Sequence, residues 1–195
     1  MKIKEVKTAF KIMDAKLNDD NTISFNYLET IYDENGVELP KTILTTNYAR
    51  VYLIAVNGII KKIGGSEDKG GIKGTLAIYK DGGVKGRPSI RSFGIYYLIL
   101  EALKTGKKIE FYMIYQDDIV SSVKGLFGMK PKQAMRISYK YLEDSCKTDY
   151  KMRENDNLPD WNFQEQGMDW PALIKKLHAD LMVESTKREK SKGRK

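Results

Sequence analysis

A tyrosine and a lysine set ten positions apart raise the question of chemistry. Tyr52 lies in the β-prone run Ala49–Val56, Lys62 in the run that starts at Ile59, and Asn57-Gly58 between them is a two-residue hairpin signal. Folding at that turn brings a phenol and an ammonium near each other across the ladder. A neighbouring cation favours the phenolate and lowers its pKa, and a phenolate can take the proton of an attacking water. Gly64-Gly65-Ser66 follows Lys62 and lets backbone approach a phosphate closely. Arg87 and Arg91 stand one helical turn apart where a glycine-rich basic loop meets a helix; Arg91 is favoured because it lies within that helix. A guanidinium grips phosphate oxygens as a fork. Glu143 sits mid-helix, a carboxylate suited to one hard cation such as Mg²⁺, and Asn162 closes the segment Leu158-Pro159-Asp160-Trp161-Asn162. A base, cationic stabilisers and a metal ligand form the toolkit of phosphodiester hydrolysis.

These groups need a scaffold. Periodicity predicts the Asn57-Gly58 hairpin and then a glycine-rich loop over 64–86, with Leu76 to Tyr79 as a short ordered piece inside it. A helix follows from Pro88 through Lys104, with Gly106 past its end. A third strand spans 108–115, a loop spans 116–131, and helices cover Lys132 to Tyr150 and Pro171 to Glu184. The order predicts a small α/β (α+β) layer: a three-stranded, mainly antiparallel sheet flanked by helices. Residues 1–46 read as an N-terminal arm, 47–163 as the working domain, and 164–195 as a C-terminal helix with a basic tail.

Composition narrows the chemistry. One histidine, His178, excludes sites built on paired histidines, and one cysteine, Cys146, excludes an internal disulfide and multi-cysteine zinc sites. Hydrolysis here must rest on Tyr, Lys, Arg and carboxylates. No apolar run is long enough for a membrane span, and residues 1–16 lack a secretory h-region, so a cytoplasmic protein is expected. The net charge is +8. Basic residues gather between Gly58 and Arg91 and again after Lys187, which points to a polyanion partner.

On these residues the sequence resembles the GIY-YIG nucleases over roughly 48–163. Arg50-Val51-Tyr52 stands for the first triplet and Lys62-Ile63-Gly64 for the second. Tyr141-Leu142-Glu143 fits the glutamate helix, and Pro159-Asp160-Trp161-Asn162 fits the terminal asparagine segment. Arg50 replaces the first glycine, a change that suits a solvent-facing position. Lys62 replaces the second tyrosine, as in some restriction-enzyme members, and points to that branch. The resemblance implies a metal-dependent endonuclease acting on double-stranded DNA, of sequence-specific restriction type, leaving 3′-hydroxyl and 5′-phosphate ends. It implies Tyr52 as general base, Lys62 and Arg91 (or Arg87) stabilising the phosphate, and Asn162 positioning Glu143 or DNA. Glu143 would hold Mg²⁺, with Mn²⁺ as a substitute. Lys61, Ser66, Lys69, Lys73 and Lys85 are the expected DNA contacts. The protein would act as a monomer or homodimer, with a cognate methyltransferase in the same system. Alternative readings are a repair, phage or mobile-element nuclease and a non-catalytic DNA-binding module. A PD-(D/E)xK site is disfavoured, because Glu5-Val6-Lys7 has no preceding strand to supply its aspartate.

Overall fold

The run Ala49–Val56, apolar but for Arg50, is buried at all eight residues, as a strand covered on both sheet faces is. A computed structural model describes the backbone of residues 1–192 and side chains through residue 188; Gly193, Arg194 and Lys195 of the basic tail lie outside it. In chain order the strands are β1 (Phe10–Leu17), β2 (Ile23–Tyr27), β3 (Ile31–Tyr32), β4 (Glu38–Leu39), β5 (Ala49–Val56), β6 (Ile59–Ser66), β7 (Ile109–Gln116), β8 (Ile119–Ser121), β9 (Lys124–Gly125), β10 (Gly128–Met129) and β11 (Gln133–Met135). The α-helices are α1 (Gly71–Asp81), α2 (Ile90–Lys104), α3 (Tyr139–Arg153) and α4 (Ala172–Lys192).

The main sheet has five strands in the order β2-β1-β7-β5-β6, and every neighbouring pair is antiparallel. This corrects the expected three strands. The first 46 residues, read as an arm, place β1 and β2 beside β7. A register shift between Lys11 and Met13 explains why β1 is hard to read: Ile12 and Met13 are adjacent yet both fully buried, so the alternation that marks a strand is broken.

Each sheet face carries its own core. One face bears Tyr52, Ile54 and Val56 under α1, α2 and α4, through Ile72, Leu76, Tyr79, Phe93, Ile95, Ile99 and Ile174. The other face bears Val51, Leu53, Ile60 and Ile63 under α3, through Leu142, Cys146 and Tyr150, together with the N-terminal segment. A groove of about 560 Å³ lies on this second face between that segment and α3.

Three further expectations change. The loop 64–86 contains the eleven-residue α1. The loop 116–131 and the first turns of the expected helix from Lys132 form an antiparallel ribbon, with β8 on β11 and β9 on β10. Ser138 starts α3, its hydroxyl accepting from the Lys140 N–H. The last helix, expected to end at Glu184, continues as α4 to Lys192. Among the described residues no helix is long and apolar enough to cross a membrane.

Candidate active site

The site is built on the hairpin, and a single bulge decides which side chains face it. Asn57 and Gly58 take φ of +48° and +77°, the turn geometry their types favour. A regular two-residue hairpin would set Lys62 opposite Leu53, on the sheet face away from Tyr52. Instead Ala55 pairs with Ile60 and Ile54 with Lys62, so Lys61 is an extra residue and every later position of β6 changes face. Lys62 and Gly64 thereby join Tyr52 and Ile54 on the α1/α2 face.

The segment after Pro159 fixes that bulge. Trp161 N–H donates to the Lys61 carbonyl at 2.8 Å. The Asn162 side chain accepts from Ile63 N–H at 2.9 Å and donates to Ile63 C=O at 2.8 Å. Asn162 is fully buried. It does not reach Glu143 and is not exposed to DNA; it satisfies an edge strand that would otherwise leave backbone groups unpaired. Lys61 forms an ion pair with Asp160, tying the same two segments together.

Lys62 is 1% exposed, and its Nζ lies 3.2 Å from Glu165 Oε1. Arg91, in the first turn of α2, brings Nη2 to 2.9 Å from the same oxygen. One carboxylate thus bridges two cations from segments far apart in sequence. Burial, and then the charge of Arg91, brings the Lys62 ammonium down to about 8 despite its carboxylate partner. Burial pushes Glu165 the opposite way, but the charges of Lys62 and Arg91 outweigh it and hold the carboxyl below its ordinary range. Arg87 is exposed, and its Nη2 lies 3.2 Å from Thr186 Oγ1 on α4. Of the two arginines, Arg91 is the one that shares a partner with Lys62.

Tyr52 does not fit the expectation of a phenolate. Its hydroxyl pairs with that of Tyr79 on α1 at 2.8 Å, while the Lys62 ammonium turns to Glu165. Burial and the second phenol raise Tyr52 well above its ordinary pKa, and burial raises Tyr79 as well. The hydroxyl is therefore neutral at physiological pH, a donor and acceptor rather than a strong base.

Glu143 lies on the other side of the sheet. Its helix packs on the Val51/Leu53 face, and Lys147 holds Oε1 at 2.7 Å. Tyr52, Lys62 and Arg91 thus share one face of β6, and Glu143 stands over the other. They meet at the glycine pair. A Cβ on Gly64 would fall 2.4 Å from Tyr52 Oη, and one on Gly65 would fall 2.6 Å from Glu143 Oε2. Consecutive Cα atoms are about 3.8 Å apart, so the two oxygens are about 12 Å from each other at most. The Glu143 charge acts on Tyr52, Tyr79 and Arg91. Only glycine at 64 and 65 permits both close approaches.

The remaining expected contacts are dispersed. Ser66 Oγ is 2.6 Å from Thr75 Oγ1 and accepts from Asp68 N–H, closing the link from β6 to α1. Lys73 covers the Tyr27 ring at 4.8 Å. Lys69 and Lys85 are exposed. Arg50, expected toward solvent, is 1% exposed; its guanidinium donates to the carbonyls of Thr46, Tyr48 and Asp68.

Sequence reasoning missed Tyr79 and Glu165. Ile72, Leu76 and Tyr79 have helical spacing, but glycines at 70, 71 and 74 obscured it. Glu165 lies three residues past Asn162, in a 3-10 turn (Gln164–Gln166) whose pattern carries no signal.

No protein-family model matches the chain, and no curated protein matches it. Among solved structures, a bacteriophage T4 EndoII mutant shares the fold: the TM-score is 0.50 at 22% identity, over 83% of this chain and 98% of that one. Restriction endonuclease HPY188I in complex with product DNA aligns over 81% of this chain and 84% of its own, with 18% identity and a TM-score of 0.41.

Proposed function

We propose that the protein is a metal-dependent endonuclease that hydrolyses phosphodiester bonds in double-stranded DNA. The observation that carries this reading is the Lys62–Glu165–Arg91 bridge beside the Tyr52–Tyr79 hydroxyl pair. Two cations already hold one anionic oxygen there, and a phosphate oxygen is the natural exchange partner. The fold shared with phage EndoII supports the same reading.

Lys62 and Arg91 hold the scissile phosphate and offset the charge that grows on its oxygens during attack. The Tyr52 hydroxyl, oriented by Tyr79, accepts a hydrogen bond from the attacking water and aims its lone pair at phosphorus; the released proton passes to solvent. Glu143 is the carboxylate that would hold a single hard cation: its Oε2 faces the space left at Gly65, while its Oε1 is paired with Lys147 at 2.7 Å. A Mg²⁺ or Mn²⁺ ion held there would polarise the phosphate and ease departure of the 3′ oxygen. Water attack with loss of that oxygen leaves 5′-phosphate and 3′-hydroxyl ends.

Plasmid cleavage with Mg²⁺ tests the assignment, with wild type, Tyr52→Phe and Glu143→Ala compared. The expected result is a loss of about a hundredfold or more in both variants. Equal cutting by all three proteins removes this mechanism. Sequencing the ends then separates cleavage at one short sequence, the restriction reading, from preference for branched or damaged substrates.

A further inference from the structure

The ribbon between β7 and α3 carries an arrangement that the catalytic groups do not use. Gly125 pairs with Gly128 and Met129 with Lys124, so Leu126 and Phe127 form the two-residue tip. They are 96% and 103% exposed. Tight hairpin tips favour Asn, Asp and Gly; here the left-handed backbone falls on Gly128 at φ +117°, leaving two large apolar side chains in water. That is a local conflict with folding, of the kind that marks a binding function. The flanks near the tip are cationic, with Lys124, Lys130 and Lys132; at the root, Arg136 is paired with Asp118 at 3.5 Å. The ribbon is rooted beside the candidate site, because it leaves β7 after Gln116 and ends at Ser138, the cap of the helix that carries Glu143.

We infer that this ribbon is a DNA-deforming wedge. Its lysines lie along the phosphates, and Leu126 and Phe127 enter a groove to press into a base step near the scissile bond. The inference rests on the proposed nuclease reading and deepens it, naming duplex DNA that can be unstacked as the preferred substrate. A two-stranded ribbon fits a DNA groove, and Phe and Leu are side chains that unstack steps and kink the duplex. At about 3.3 Å per residue the tip reaches up to roughly 20 Å from its root, long enough to enter a groove from a root beside the candidate site.

The test uses the full chain, sonicated duplex DNA and supercoiled plasmid. Leu126→Ser with Phe127→Ser, a change confined to exposed positions, should weaken duplex binding and slow cleavage about ten- to a hundredfold. The indole introduced by Phe127→Trp should be quenched on binding duplex in Ca²⁺. Changing Lys124, Lys130 and Lys132 to Ala should lower the slope of log affinity on log salt by about two to three. If wild type cuts no DNA, the nuclease reading falls and this inference with it. If wild type cuts while the double serine variant binds and cuts equally and the indole stays unquenched, the wedge is overturned and the nuclease reading stands. An oligomer that the serine substitutions dissociate, with DNA affinity per subunit unchanged, makes the tip a self-contact and also overturns the wedge.

Discussion

Lys62 gives the sharpest quantitative prediction. It is buried to 1% exposure, and its pKa sits near 8 against an ordinary 10.5. In the unfolded chain the ammonium stays protonated up to about 10.5, whereas the folded protein releases the proton above about 8. Between those values the unfolded state binds more protons, so stability rises with pH. The gap corresponds to roughly 3 kcal/mol, an energetic cost of burial that is fully present below pH 8 and relieved by pH 10.5. Lys62→Met removes the charge and keeps most of the volume. Urea unfolding should therefore show the variant more stable than wild type at pH 7, with the difference shrinking by about 3 kcal/mol by pH 10.5. Comparison with the variant cancels the titration of other lysines and tyrosines. Activity should move the other way. The variant should cut poorly at every pH, and wild-type kcat/KM should fall about tenfold per unit above pH 8 as the cation is lost. A stability difference that is constant with pH would refute the buried-ammonium argument. A rate that climbs through pH 8 would assign Lys62 as a base and refute its role as a charge stabiliser.

Glu165→Gln removes the carboxylate that supports the Lys62 charge, so the alkaline limb of the kcat/KM profile should shift to lower pH; an unmoved limb refutes the bridge. Asn162→Ala leaves the buried Ile63 N–H and C=O without their side-chain partner and should destabilise by about 2–4 kcal/mol in urea unfolding. Asn162→Asp keeps the acceptor but turns a second oxygen toward the Ile63 carbonyl in a fully buried place, so at pH 7 it should destabilise at least as much. Gly65→Ala places a methyl 2.6 Å from Glu143 Oε2 and 2.8 Å from the Tyr139 ring, so α3 must shift. A Mg²⁺ titration of cleavage should then reach half-maximum at higher metal concentration than wild type.

At the first triplet the residue type alone misleads about its surroundings. Arg50 stands where a glycine was expected, and its guanidinium is buried as a tie for three carbonyls instead of facing solvent. Asn162 likewise stands at the expected place but braces an edge strand. Both roles are backbone accounting, which no residue type announces.

Local chemistry was legible in the chain itself. Asn57-Gly58 dictated the turn because few other residues accept positive φ there, the β-prone run 49–56 dictated a strand, and the apolar stripe of Ile95, Leu98, Ile99 and Ala102 dictated α2. The residue types available for catalysis also followed from composition alone. The tertiary structure decided which of those residues meet. The bulge at Lys61 rotates Lys62 onto the face of Tyr52, against the parity of a regular hairpin, and packing drives Glu143 onto the opposite face with only two glycines between. Long-range contacts recruited Tyr79 and Glu165, which lie outside every local pattern. Period-2 alternation carries a strand's facing only until one residue is inserted, and whether it is inserted depends on hydrogen bonds from a segment about a hundred residues away.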